Sequence, residues 1–304
     1  MAGAPVAGSP VITTRGLSKR YGQQYALKDL DLEVHQGEVL GYLGPNGAGK
    51  TTTIRLLLGL IAPTSGSATV FGLDAQRQAP EVHRRVAYVP GETSLWPSLT
   101  GKETLALLGR VHGRIDAAYR DDLIARFDFD PSKKVRSYSK GNRQKLSIIA
   151  ALMTRADLLI LDEPSSGLDP LMEQTFRQCV REAKAEGQTV FLSSHILSEV
   201  EALCDRVAIL RLGQLLEVGT IAEMRHLSAL SVEATFEGAP PDLSGVPGVS
   251  ALEIDGQRLR CQVTGSVEPL LRALSTARVR ELLSSKPSLE ELFLSHYGSG
   301  GEQR

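Results

Sequence analysis

Apolar and polar residues follow two different periods along the chain. Between residues 11 and 36, apolar residues such as Leu30, Leu32 and Val34 alternate with polar ones, which predicts short strands that each bury one face. The segment EVLGYLG, residues 38–44, predicts a strand that enters a glycine-rich turn. After this turn the spacing becomes helical, which predicts an amphipathic helix on Ile54, Leu57, Leu58 and Ile61.

Two short apolar runs lie further along the chain. LLILDE, residues 158–163, and TVFLSSH, residues 189–195, predict strands that are buried on both faces of a sheet with parallel character. Before them, residues 98–136 are expected to be mostly helical and to end near Pro131, and residues 146–153 predict a second amphipathic helix. Strand and helix therefore alternate through residues 37–225, which predicts an α/β layered domain.

The pattern changes after about residue 228. Residues 230–236 alternate as in a strand, and the turn pair Asp255-Gly256 predicts a hairpin within residues 251–263. Residues 267–274 have helical spacing. We therefore expect a separate small α+β domain of about 75 residues at this end of the chain, with its elements in the order ββαβα.

Two further signals set the predicted boundaries. Ser288 is followed by Glu291 in a capping-box pattern, which predicts a last helix. The start of the chain is rich in small residues, Pro and Gly, as expected of a loose tail. The expected organisation is a flexible tail at 1–10, a main domain at 11–227 with a helical subdomain at about 93–155, and an accessory α+β domain at 228–304.

Charge and hydropathy restrict the possible partners. The formal net charge of −1 shows no basic excess, so nucleic acid and an anionic membrane surface are disfavoured as partners. No apolar run approaches the roughly 18 residues that span a bilayer. If the protein works at a membrane, we expect another chain to cross it.

The strongest chemical signal is GPNGAGKT, which fits the phosphate-loop pattern G-x-x-x-x-G-K-S/T. Gly44, Gly47 and Gly49 allow the backbone to turn its N–H groups towards phosphate oxygens, and the following helix adds its positive end. Lys50 is expected to reach the β- and γ-phosphates, and Thr51 to offer its hydroxyl to magnesium. A purely structural glycine-rich turn is the alternative, and the flanking strand and helix disfavour it.

Three further residues at strand ends are candidates for the chemistry. Asp162 is a candidate magnesium ligand, and Glu163 is a candidate general base for the attacking water. An acidic pair alone is usually a solvated strand end, but about 110 residues after a phosphate loop it favours catalysis. His195 is a candidate γ-phosphate contact, although a lone histidine at such a place is usually structural.

A fourth signal is YSKGNRQK, residues 138–145, at the start of a predicted helix. Ser139 and Gly141 could present a hydroxyl and backbone N–H groups to an anion. A plain helix cap would explain the stretch if it stood alone.

Taken together, these segments resemble the ATP-binding subunit of ABC transporters over about residues 11–225. RYG matches the adenine-stacking aromatic of that family, YSKGNRQK its signature motif, SSGLDP its partner-facing loop and SSH its switch histidine. The resemblance implies ATP and Mg²⁺ as ligands. Beyond the candidate catalytic residues Glu163 and His195, it implies these nucleotide-binding residues: Tyr21, Gly44, Pro45, Asn46, Gly47, Ala48, Gly49, Lys50, Thr51, Thr52, Ser139, Gly141, Asn142 and Asp169.

The resemblance also implies partners. Two copies, or one copy and a homologous ATPase, would dock head to tail, so that each ATP meets one chain's Lys50 and the other chain's Ser139. Integral membrane permease subunits would carry the cargo, and the chain would lie on the cytoplasmic face of the cell membrane. The small last domain looks like the tail of type-two ABC exporters, which include drug and antibiotic efflux systems.

Two positions depart from the family pattern. Gly91 stands where a glutamine that contacts magnesium is expected, and the next residue, Glu92, is either a substitute magnesium ligand or a solvated loop charge. Lys140 stands where the common signature has glycine. Its charge could sit near phosphate or point to solvent, and we favour solvent.

Three other functions compete with the exporter motor. A soluble ABC ATPase that acts on nucleic acid or the ribosome is disfavoured, because the chain has one phosphate loop, no heptad run and no basic excess. An importer subunit is disfavoured by the small last domain. A purely structural ATP binder is disfavoured by Glu163.

Overall fold

The structure is a computed structural model that describes residues 10–113, 115–226, 230–275 and 277–285. The chain divides into two compact units, Met1–Gly219 and Thr220–Arg304. The first unit has, in chain order, β1 (Pro10–Tyr21), β2 (Gln24–His35), β3 (Val39–Leu43), α1 (Lys50–Leu57), β4 (Ser65–Val70), β5 (Leu73–Asp74), α2 (Ala79–His83), β6 (Val86–Val89), α3 (Gly101–His112), α4 (Ala117–Arg126), a 3₁₀ turn (Val135–Ser137), α5 (Lys140–Leu152), β7 (Leu158–Asp162), α6 (Pro170–Ala185), β8 (Thr189–Ser194), α7 (Leu197–Leu203), β9 (Arg206–Arg211) and β10 (Gln214–Thr220).

A six-stranded sheet forms the centre of the first unit, with strand order β10-β9-β3-β8-β7-β6. Neighbouring strands from β9 to β6 run parallel. In β7, Leu158 and Ile160 pack in the core on one face, whereas Leu159 and Leu161 pack in the core on the other face. The apolar run in β7 is continuous because both faces of the strand are buried, as the sequence predicts.

An antiparallel sheet with strand order β2-β1-β4-β5 covers one of these faces. Leu30, Leu32 and Val34 of β2 lie in the same hydrophobic core as Leu40 of β3 and Ile54 of α1. The alternation in β2 thus results from one buried and one exposed face. Together the two sheets confirm the predicted α/β layering.

Helices cover the other face. Residues 98–136 are helical only in part, because α3 and α4 are followed by a non-helical stretch before the 3₁₀ turn. Asp128 takes a left-handed φ of 45°, and the Asp130 carboxylate accepts hydrogen bonds from the Ser132 N–H and hydroxyl. Such local side-chain bonds compete with helix formation. Helix α4 therefore ends at Arg126, and the predicted helical stretch does not continue to residue 136.

The second unit is an α+β fold with α8 (Ile221–His226), β11 (Leu230–Phe236), β12 (Val249–Asp255), β13 (Arg258–Val263), α9 (Glu268–Leu274) and β14 (Val279–Ser285). Its sheet has strand order β12-β13-β11-β14, with antiparallel pairs throughout. Asp255 pairs with Arg258, which confirms the predicted hairpin. β14 follows α9, where the predicted order ββαβα places a strand between two helices, but three strands rather than two precede α9.

Some expectations lie at or beyond the limits of the structure. Pro10 begins β1 rather than ending the expected tail, and residues 1–9 lie outside the described residues. The helix expected at Ser288 also lies outside them. Across the ranges that the structure describes, no helix is both long and apolar enough to cross a membrane.

Candidate nucleotide-binding and catalytic site

The glycine-rich loop joins β3 to α1. Gly47 and Gly49 have φ angles of 81° and 108°, and Gly49 is the N-cap of α1. A Cβ on Gly49 would lie 2.5 Å from the Ala26 carbonyl oxygen, and one on Gly44 would lie 2.6 Å from the Leu210 carbonyl oxygen. Glycine is therefore required at 44 and 49 for space, and at 47 and 49 for backbone conformation.

Lys50 is held inside this loop. Its side chain is 5% exposed, and its Nζ donates to the carbonyl oxygens of Gly44 at 2.6 Å and Pro45 at 3.2 Å. The same Nζ lies 3.2 Å from Oε1 of Glu163. Since Lys50 is the first residue of α1, its ammonium group lies at the positive end of the helix. This arrangement favours an anion as a further partner.

Asp162 and Thr51 meet beside the lysine. The Thr51 hydroxyl donates to Oδ2 of Asp162 at 2.9 Å, and the Ser193 hydroxyl donates to its Oδ1. Asp162 is 2% exposed, so these two bonds stabilise a buried carboxylate. Sequence reasoning missed Ser193, although a serine at the end of an apolar strand was a usable signal, because Asp162 and Ser193 pair directly across β7 and β8.

Glu163 lies at the exit of β7 in an unusual backbone conformation. Its φ is 49°, and its N–H donates to the Ser193 carbonyl oxygen at 3.0 Å. A left-handed conformation costs a non-glycine residue about 1–2 kcal/mol. The left-handed conformation turns the Glu163 carboxylate towards the phosphate loop. There its Oε1 contacts Lys50, and its Oε2 lies 3.3 Å from Nδ1 of His195. Lys50, Glu163 and His195 therefore converge, as expected from the sequence.

A cavity of about 460 Å³ opens beside Thr51, Asp162 and Glu163. It is lined by Asn46, Thr51, Arg55, Tyr88, Pro90, Gly91, Glu92, Lys140, Asp162, Glu163 and Ser166. Arg55 and Tyr88 were not predicted, because they lie outside the recognised motifs. Ser166 lies in the SSGLDP loop, but sequence reasoning assigned it no role of its own. Burial, followed by the negative charge of Asp162, raises the pKa of Tyr88 to about 12, so its phenol stays neutral at physiological pH.

Gly91 lies directly against Asp162. A Cβ on Gly91 would lie 3.2 Å from the Asp162 carbonyl oxygen and 3.7 Å from its carboxylate. The position therefore faces the acidic strand end, as the family's glutamine would require, but offers no side chain to it. Glu92 is exposed and lines the same cavity.

The signature stretch begins α5. Ser139 is its N-cap, and its hydroxyl accepts the Asn142 N–H at 3.2 Å. A Cβ on Gly141 would lie 2.6 Å from the Gly167 carbonyl oxygen, so the helix start packs closely on the SSGLDP loop. Lys140 is exposed, as expected, but its Nζ donates to the Ser166 hydroxyl at 3.2 Å and the residue lines the cavity.

Within the described part of the chain, several other predicted residues, Gly141 and Asn142 among them, do not line this cavity. Tyr21 ends β1, is 51% exposed, and has the Lys19 ammonium 5.2 Å from its ring centroid. Asp169 caps α6 by accepting the Met172 N–H at 3.0 Å. Among the described residues, Tyr21, Thr52, Ser139 and Asp169 do not line the cavity.

The oxygen donors suit magnesium. The Thr51 hydroxyl and the Asp162 carboxylate lie 2.9 Å apart, and both are hard ligands of the kind that Mg²⁺ prefers. In the part of the chain that the structure describes, no group of three or more His, Cys, Asp or Glu residues could hold a metal by itself. Mg²⁺ commonly binds through one or two protein oxygens and substrate phosphates, so these residues fit the ion.

Comparison with known proteins identifies the family to which this chain is similar. The ABC transporter family model matches residues 27–166. The daunorubicin resistance ATP-binding protein of Streptomyces coeruleorubidus is 37% identical, over 93% of this chain and 94% of that protein. The Nod factor export ATP-binding protein I of Cupriavidus pinatubonensis is 34% identical, over 97% of this chain and 95% of that protein.

A solved ATP-binding subunit of an ABC transporter has a similar fold. The two chains match with a TM-score of 0.67 and a sequence identity of 34%. The match covers 71% of this chain and 92% of the solved chain. The alignments with the Streptomyces and Cupriavidus relatives cover more than nine-tenths of this chain, whereas the match with the solved subunit covers less of it. The chain belongs to the ABC transporter family, as an ATP-binding subunit.

Proposed function

We propose that this chain is the ATP-hydrolysing motor of an ABC exporter. The observation that carries this proposal is the convergence of five side chains where β3, β7 and β8 end: Lys50, Thr51, Asp162, Glu163 and His195. Full-length similarity to a Nod factor export protein and to a daunorubicin resistance protein supports export, with a drug or antibiotic as the cargo class.

Nucleotide binding would rearrange the charges around Lys50. Its ammonium now lies 3.2 Å from Glu163, and a γ-phosphate in the loop would offer it a stronger anionic partner. Glu163 would then be free to accept a proton from water. Thr51 and Asp162 would hold Mg²⁺, which when bound would neutralise phosphate charge.

Hydrolysis would follow from this arrangement. The water oxygen attacks the γ-phosphorus, the bond to the β-phosphate oxygen breaks, and the water proton passes to Glu163. His195 lies 3.3 Å from that carboxylate and would orient it while its ring contacts the γ-phosphate. The left-handed φ of Glu163 fixes the base on the buried strand, so little reorganisation is needed.

The remaining nucleotide contacts would come from two chains. Tyr21 of one chain would stack on adenine, because its ring is half exposed. Ser139 and the N–H groups at the start of α5 would serve the cavity of a second copy, because Ser139 is exposed at the start of that helix. Asp169, on the adjoining loop, would lie near the contact between the copies.

The membrane partner would dock on a second cavity. An apolar groove of about 460 Å³ lies between the loop after β6 and helices α3 and α5. Trp96 and Val111 both line it and are 49% and 77% exposed, so the groove presents an apolar surface to solvent. We assign a cytoplasmic segment of the permease to this groove, because the same loop also lines the phosphate cavity. The chain would thereby sit on the cytoplasmic face of the membrane.

A complementation experiment tests the two-chain site. Lys50→Ala and Ser139→Ala each inactivate both sites of a symmetric dimer, but a mixed dimer of the two variants keeps one intact site. Random mixing should then restore about a quarter of the wild-type ATPase rate if each site works alone. A mixture of Lys50→Ala with Asp162→Asn is the matched control, since both changes lie in the same half-site and no intact site can form. Equal rates in the two mixtures would contradict the proposal.

A further inference from the structure

The side chain of Gln144 joins three functional segments. It lies in the first turns of α5, and the residue is 1% exposed. Its Oε1 accepts the Thr93 hydroxyl at 2.9 Å, and its Nε2 donates to the Pro164 carbonyl oxygen at 2.9 Å. One amide thus connects the loop after β6, the signature helix and the residue that follows Glu163.

The direction of these bonds is fixed by their chemistry. A carbonyl oxygen can only accept, so the amide nitrogen must face Pro164 and the amide oxygen must face Thr93. The amide oxygen can likewise only accept, so the Thr93 hydroxyl must donate. A buried amide that lost either partner would keep an unsatisfied polar group, which gives the chain of bonds a single stable arrangement.

Thr93 lies at a boundary between two cavities. The residue before it, Glu92, lines the phosphate cavity, whereas Ser94 and Trp96 after it line the apolar groove. Ala151, on the same helix as Gln144, also lines the groove. A movement of the groove-lining loop would therefore reach Gln144 through Thr93.

We propose that the hydrogen-bond chain Thr93–Gln144–Pro164 couples the apolar groove to the phosphate cavity, with Gln144 as the positioning residue. It holds the carbonyl oxygen of Pro164, the residue after Glu163, and thereby limits movement of the backbone that carries the Glu163 carboxylate. Since Gly91 has no side chain to reach Asp162, this chain of bonds supplies a link between loop and strand end that the family's glutamine would otherwise supply. The inference rests on the proposed function.

The test uses Trp96, the chain's single tryptophan, as a reporter in the groove. In full-length Glu163→Gln protein, MgATP should change the Trp96 emission. Thr93→Val in the same background should bind radiolabelled ATP within about threefold of the parent affinity and lose most of the emission change. Thr93→Ser, which keeps the hydroxyl, should retain the change. Gln144→Met, of similar size, should behave like Thr93→Val.

Three results separate the possible failures. A full emission change in Thr93→Val would overturn the coupling, and so would a parent protein that binds ATP without any change at Trp96. A parent protein that does not bind ATP would instead refute the proposed function. If Gln144→Met fails to fold, the comparison of Thr93→Val with Thr93→Ser decides alone.

Discussion

The two inner glycines of the phosphate loop should differ in their tolerance of a methyl group. Among the described residues, no atom lies within 4 Å of a Cβ built on Gly47, so Gly47→Ala would meet only the cost of its φ of 81°. That cost is about 1–2 kcal/mol. It is partly offset because alanine loses less conformational entropy on folding than glycine does. We expect a net loss of about 1 kcal/mol in the free energy of unfolding.

Gly49→Ala should cost more. Its φ is 108°, and its Cβ would lie 2.5 Å from the Ala26 carbonyl oxygen and 3.4 Å from the Leu210 side chain. The first contact is with backbone, which can move little, so overpacking adds about 1–3 kcal/mol. The expected loss in free energy of unfolding is then about 2–5 kcal/mol.

Urea unfolding without nucleotide measures both losses. Trp96 is the single tryptophan and lies in the first unit, so its fluorescence follows that unit alone. The midpoint should fall further for Gly49→Ala than for Gly47→Ala, with the same dependence on urea concentration. Equal midpoints would refute the argument that residue 49 is limited by space as well as by backbone conformation.

Two other substitutions give separate predictions. If Glu92 binds magnesium, Glu92→Ala should raise the Mg²⁺ concentration for half-maximal ATPase activity by about tenfold, as expected for the loss of one charged contact, while an unchanged Mg²⁺ titration would make it a solvated loop charge. Burial raises the pKa of Glu199 above its usual 4.5, although hydrogen bonds from Ser194 and Ser165 and the charge of Arg177 act in the other direction. The folded state therefore favours the neutral acid, and the stability present at low pH is lost as pH rises from about 4.5 through the folded-state pKa, so the stability advantage of Glu199→Gln over wild type should grow over that rise in urea titrations. A pH-independent difference would contradict this account.

The sequence was informative wherever function and fold depend on contiguous residues. The phosphate loop, the acidic strand end and the signature stretch are each continuous runs, and parallel strands bring their ends to one edge of the sheet. For this reason the sequence alone is enough to predict that Lys50, Thr51, Asp162 and Glu163 lie together.

The rest depends on contacts between distant residues. Ser193 meets Asp162 only through strand pairing, and Gln144 meets Thr93 and Pro164 only through the packing of α5. Lys140 is exposed, as the sequence predicts, but its stem packs 3.5 Å from the position of a Cβ on Gly167, a neighbour that no local pattern identifies. The predicted order places a strand where β14 lies, but not its bounds, because the edge position of β14 leaves Leu282 and Leu283 exposed and removes the alternation.

The most direct test of the central claim is phosphate release by the Glu163→Gln variant. With saturating MgATP the wild-type chain should hydrolyse ATP, and Glu163→Gln should lose about 10²–10⁴-fold in rate, the usual contribution of a general base. ATP binding should persist, because Lys50 and the loop are unchanged, and the variant should accumulate as an ATP-bound dimer. Glu81→Gln, which changes a carboxyl group on α2, is the control and should hydrolyse at the wild-type rate. Wild-type hydrolysis by Glu163→Gln would contradict the account.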